Sequence, residues 1–135
     1  WIQNLHMQRG GYRELVSGAT NAVVNLWDIR LDEPVMTSKS EEKSTTTSSV
    51  QIHEHAPVLA TGSKTIKIWT TSGDMLSSFK NQGSSGFSAT ELPNRTPFIS
   101  SLAFHPHSMM IAANNTHDPY VSIYRCTETL SNDFL

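Results

Sequence analysis

Two short words, His53-Glu54-His55 and His105-Pro106-His107, set paired imidazoles at His-x-His spacing, and each follows a large apolar residue, Ile52 or Phe104. On an extended strand that spacing puts both rings on one face, where a metal ion could take them as ligands. The pairs lie 52 residues apart (105 − 53), and Leu5-His6 is the corresponding point near the start of the chain. No acidic or sulfur ligand accompanies them at a fixed spacing. The same point is where a repeating β unit turns between its first and second strands. The turn reading outweighs the metal reading, so His53 and His105 are expected to be structural, with no metal or cofactor. Other chemistry has no foothold. There is no Gly-x-Ser-x-Gly elbow, phosphate-binding loop, dinucleotide fingerprint or Cys-x-x-Cys pair. Gly83-Ser84-Ser85-Gly86 lacks the strand and helix that would make it a phosphate cradle, and the chain is expected to be non-enzymatic.

The elements that would position these turns are announced by a repeated word: β-branched, polar, aliphatic, aromatic. It reads Val24-Asn25-Leu26-Trp27, Ile66-Lys67-Ile68-Trp69 and Val121-Ser122-Ile123-Tyr124, with aromatics 42 (69 − 27) and 55 (124 − 69) residues apart. Each copy follows an apolar run that ends in small residues: Leu15-Val16-Ser17-Gly18, Leu59-Ala60-Thr61-Gly62, Ile111-Ala112-Ala113-Asn114. A strand, a small-residue turn and a second strand ending in Trp, repeated about every 40–45 residues, is the signature of a WD-repeat propeller blade. The fold class is therefore all-β: the C-terminal blades of a propeller of about seven blades.

Units are expected over about 1–37, 50–80 and 98–126, with polar insertions at 37–49 and 81–97. In the first unit the strands are Trp1 to about Gln8, Glu14–Ser17, Val23–Ile29 and a short outer one at Val35-Met36-Thr37, with Gly18 to Asn21 turning the chain. The second unit has Val50–Ile52, Val58–Thr61, Ile66–Thr70 and Met75–Phe79. The third has Ile99–Phe104, Met109–Ala113 and Tyr120–Arg125, and its fourth strand is expected from outside this chain. Alternation puts Val24 and Leu26 on one face, and Asn25 and Trp27 on the other. Trp27, Trp69 and Tyr124 are expected to be buried between blades. The insertions are read as loops that bulge without disturbing the blades; Ser38 (with Glu41 three residues on), Ser40 and Ser44 are their candidate phosphorylation sites.

At 135 residues, 37% hydrophobic and net charge −2, the composition suits a globular domain and offers no basic stripe for nucleic acid. No apolar run reaches the roughly 18–20 residues of a membrane span. The lone Cys126 cannot form an internal disulfide, which agrees with a cytosolic or nuclear compartment; there the sequons at Asn94 and Asn114 are accidental, and only in a secreted protein would they be used. The first residue is Trp, not Met, so a fragment is expected.

The stretch Ile99 to Arg125 resembles the closing blade of the Raptor family, the scaffold subunits of the rapamycin-sensitive TOR kinase complex. The elements that carry the resemblance are Ser101-Leu102-Ala103-Phe104-His105-Pro106-His107, Met110-Ile111-Ala112, Tyr120 and Ser122-Ile123-Tyr124. Ile52-His53, Val58 to Ser63 and Ser72-Gly73 fit the blade before it. The resemblance implies a non-catalytic scaffold in nutrient-responsive growth signalling. Its implied partners are TOR kinase, the other complex subunits and regulatory small GTPases. The implied location is cytoplasmic, with peripheral recruitment to the vacuolar or lysosomal membrane. The family's caspase-like and solenoid domains have no counterpart in these residues. The runner-up is a propeller that reads a peptide or phospho-motif, as ubiquitin-ligase substrate receptors do.

Overall fold

The computed structural model describes residues 1–10, 14–39, 46–82 and 98–127. Among them there are eleven strands and no helix. The first sheet is β1 (Ile2–Met7), β2 (Glu14–Ala19), β3 (Val23–Asp28) and β4 (Met36–Lys39), hydrogen-bonded in that order. The second is β5 (Ser49–Ile52), β6 (Val58–Gly62), β7 (Ile66–Thr70) and β8 (Met75–Phe79). The third is β9 (Ile99–Phe104), β10 (Met110–Asn115) and β11 (Val121–Arg125). Every pairing is antiparallel between chain neighbours, so each sheet is one meandering propeller blade. A fourth strand for the third sheet, were it to come from residues 128–135, lies outside the described residues.

The repeated word forms β3, β7 and β11 because β-branched and aromatic residues suit a pleated surface packed on both sides. Register repeats with it: Leu15 pairs Trp27, Leu59 pairs Trp69 and Ile111 pairs Tyr124. Gly18 is not a turn residue. It lies inside β2, and the left-handed backbone falls to Ala22 at φ 61°. The expected loop at 37–49 is also narrower. Thr37 to Lys39 belong to β4, Ser49 opens β5, and Thr47 is buried.

The core lies between sheets. Val16, Val24 and Leu26 of the first blade meet Val50, Ile52, Leu59 and Trp69 of the second. Ala60 and Ile66 of the second meet Ile99, Leu102, Ile111 and Ala113 of the third, flanked by Phe79, Phe104 and Tyr124. Each fully buried aliphatic contributes about 1.5–3 kcal/mol. Two glycines set the spacing. A Cβ on Gly18 would stand 2.7 Å from Val50 Cγ1, and one on Gly62 would stand 2.8 Å from Ile99 Cγ2. They occupy the same place in their words, and each lets the first strand of the next blade lie against the second strand of its own.

Trp69 and Tyr124 point toward the preceding blade. Trp69 is buried against the first blade; Tyr124, against Phe79 of the second at 4.8 Å between ring centroids, is half-buried. Trp27 lies on the face of the first sheet that no described strand covers, together with the exposed Leu5 and Met7, and it too is half-buried. Trp69 is buried as expected and Tyr124 only partly so, while Trp27 stands on a face for which the described residues supply no neighbouring blade, which leaves its expected burial untested.

Candidate functional site

The histidine words fall in turns and not on strands, so the one-face geometry that a strand-borne metal site needs does not arise. Equivalent positions are fixed by one repeated backbone bond at the end of each first strand. The amide of Gln8 donates to Glu14 O at 3.0 Å, that of His53 to Val58 O at 2.9 Å, and that of His105 to Met110 O at 2.9 Å. The counterpart of His53 and His105 in the first blade is therefore Gln8. His6 lies two residues earlier, inside β1.

His53 is buried and holds three elements together. Its Nδ1 accepts the amides of His55 (3.1 Å) and Ala56 (3.0 Å), closing the turn between β5 and β6. With Nδ1 accepting, the ring proton sits on Nε2, which donates to Ser108 O of the third blade at 3.2 Å. The ring edge meets Phe104 at 5.3 Å between centroids. From the other side Gln8 Nε2 donates to His53 O at 2.7 Å. The same residue position thus links the first blade to the second and the second to the third. His105 repeats only the local part: its Nδ1 accepts the amide of His107 at 3.1 Å, and its ring is exposed. His55 and His107, also exposed, stack across the blade boundary with centroids 5.4 Å apart. Among the described residues, no three His, Cys, Asp or Glu side chains are grouped to hold a metal ion.

The first strand adds a polar seam that the sequence reading missed. Asn4 Nδ2 donates to Thr47 O at 3.2 Å, and His6 Nδ1 accepts the amide of Ile52 at 3.0 Å. Burial pushes the His6 pKa below its ordinary 6.5; Glu54 opposes the shift and Arg9 adds to it. At the next boundary Ser48 Oγ donates to Ile99 O and, at 3.0 Å, to Gly62 O. The signal for β1 was present: polar residues at every second position of an innermost strand.

The blade aromatics also carry partners that were not foreseen. Trp27 Nε1 donates to Ser17 Oγ at 2.9 Å, and Trp69 Nε1 to Thr61 Oγ1 at 3.0 Å. Ser17 and Thr61 hold the same place in their words, which could have revealed them. In the third blade that place is Ala113, and Tyr124 instead donates its hydroxyl to Asn81 Oδ1 at 2.6 Å. Asp28, beside Trp27, is held down to about 2 by Arg30, whose guanidinium grips it at 2.9 and 2.6 Å. Ser38 is half-buried on β4; Ser40 and Ser44 lie outside the described residues.

No protein-family model matches the chain. The chain is 54% identical over 148 aligned residues to the target of rapamycin complex 1 subunit KOG1 of Saccharomyces cerevisiae, covering 95% of this chain and 10% of that protein. It is 36% identical over 129 residues to the target of rapamycin complex 1 subunit mip1 of Schizosaccharomyces pombe, covering 94% and 9%. The crystal structure of Chaetomium thermophilum Raptor superposes with a TM-score of 0.76 at 34% identity, over 94% of this chain and 11% of that one. Over most of its length the chain is homologous to members of the Raptor family. It spans about a tenth of the length of these Raptor-family relatives. A chain in a crystal structure of the mitotic checkpoint complex superposes with a TM-score of 0.68 at 22% identity, over 93% of this chain and 36% of that one, a likeness of fold alone. The β-propeller architecture read from the repeated word is the one these neighbours share.

Proposed function

We propose that this segment is part of the propeller of a subunit of the rapamycin-sensitive TOR kinase complex, acting as a non-catalytic scaffold in nutrient-responsive growth signalling. The observation that carries the reading is the 54% identity to a yeast subunit of that complex over nearly the whole chain. The side-chain chemistry supports a structural role. His53, Gln8, His6 and Asn4, the polar groups best placed to do chemistry, bond the backbone of the neighbouring blade or turn. The partners are TOR kinase, the other complex subunits and regulatory small GTPases, met in the cytoplasm and at the vacuolar or lysosomal membrane. Affinity isolation of the full-length protein from its own cells tests this, with the kinase quantified by mass spectrometry. Kinase in near-stoichiometric amount is expected. Its absence, with ubiquitin-ligase subunits in its place, would replace this reading by a substrate-receptor one.

A further inference from the structure

Along β1 the bonds to the second blade run between a side chain and the backbone. Asn4 Nδ2 donates to Thr47 O at 3.2 Å and Gln8 Nε2 to His53 O at 2.7 Å. In the turn after β1, the amides of Arg9 and Gly10 donate to Glu54 Oε2 at 3.0 and 3.3 Å. Between these bonds sits His6, whose Nδ1 accepts the amide of Ile52 at 3.0 Å. His53, the next residue, donates its own amide to Val58 O at the start of β6. Alternation along a strand therefore turns the Ile52 amide away from β6 and toward the first blade. Of the side chains in this row, His6 is the one whose role a single proton reverses.

We propose that the seam between β1 and β5 is a proton-operated joint: a proton on His6 Nδ1 turns the acceptor of the Ile52 amide into a donor and parts the two strands, while the apolar core of the same boundary stays closed. Two N–H groups facing each other cannot bond, and the half-buried ring leaves little water to replace the lost partner. Burial lowers the proton affinity of His6 in the closed joint. Opening restores it, so acid favours the open form. The charges that act on the ring are Glu54, which draws a proton to it, and Arg9, which repels one. Of its two neighbouring strands, β5 carries no ionisable side chain, and the Glu14 of β2 stands opposite Asp28. Deeper in the boundary, Val16, Val24 and Leu26 meet Trp69 with no titratable group among them. The joint thus loosens the inner strands over the pH range in which histidine titrates, without unfolding the blades.

The test is hydrogen exchange of the full-length protein between about pH 7.5 and 5.5, corrected for the intrinsic pH dependence of exchange. Peptides over β5 should lose about three- to tenfold in protection as pH falls, the worth of one hydrogen bond, while those over β6 and β7 keep theirs. His6→Gln should abolish the pH dependence. Glu54→Gln keeps an oxygen for the Arg9 and Gly10 amides but removes the charge that draws the proton, so the loss should move to lower pH. Unchanged protection of β5 across the range overturns the proposal, as does an equal loss in β6 and β7, which is unfolding and not a joint. A loss that persists in His6→Gln belongs to another group, His53 included, and also overturns it. If His6→Gln does not fold, the Glu54→Gln shift decides: a midpoint that stays in place refutes the assignment to His6.

Discussion

Gly62→Ala tests the blade spacing at its tightest point. The added Cβ would lie 2.8 Å from Ile99 Cγ2 and 3.0 Å from Ile99 Cβ, against an ordinary contact of 3.4 Å or more, so something must yield by about 0.4–0.6 Å. Ile99 cannot rotate away, because its Cβ is tied to the backbone and its amide is bonded to Ser63 O at 2.8 Å. Overpacking of this kind costs about 1–3 kcal/mol, offset by about 0.4–1 kcal/mol from a less flexible unfolded chain. A net loss of about 1–2 kcal/mol corresponds to roughly 5- to 30-fold faster exchange of the β6 and β9 amides. Gly10→Ala is the control, since nothing lies within 4 Å of its Cβ. Adding Ile99→Ala removes the methyl at 2.8 Å, so the double variant should lose less than the sum of the singles. Measured by hydrogen exchange on the full-length protein, equal protection in Gly62→Ala and Gly10→Ala would refute the close approach of these blades.

Other consequences can be measured on the same protein. Trp69→Ala should cost about 3–5 kcal/mol in denaturant unfolding of the propeller, since it empties a buried indole site and orphans Thr61; a loss under about 1 kcal/mol would contradict its place in the core. His53→Ala should cost about 1–3 kcal/mol, because two turn amides and the Ser108 carbonyl lose a partner. His53→Asn, whose amide oxygen can still accept the turn amides, should recover part of it, and identical losses would show that the ring's bonds carry no weight. His6 has a folded-state pKa below 6.5, so the unfolded chain binds more protons. Stability should therefore begin to fall as pH drops through 6.5 and level off below the folded-state value. His6→Gln should flatten that part of the profile in urea titrations; an unchanged slope would sink the assignment.

Much of the fold was legible because blades repeat. The four-residue word located β3, β7 and β11, and the spacing of apolar runs located β2, β6 and β10. What one strand's pattern cannot say is which neighbour covers each face. Trp27 and Trp69 are identical in their words, yet one is half-buried and the other buried, because only Trp69 has a described blade beyond it. Gly18 and Gly62 read as turn formers because glycine is common in turns, whereas here the missing Cβ admits Val50 and Ile99 across a boundary. The histidine turns were legible as turns. The equivalence of Gln8 with His53 was not, since it rests on a backbone bond and not on residue type. Thr47 and Ser49 read as loop by polarity, but their hydroxyl-bearing side chains are buried beside the seam at which β5 meets its neighbours.

A density map of the native TOR complex, isolated through its kinase and resolved well enough to trace side chains, tests the central claim most directly. This segment should lie inside the kinase-bearing particle as three consecutive blades, with Val50 over Gly18, Ile99 over Gly62 and His53 bonded to the Ser108 carbonyl. A particle without this chain, or with the three sheets separated from one another, would contradict it.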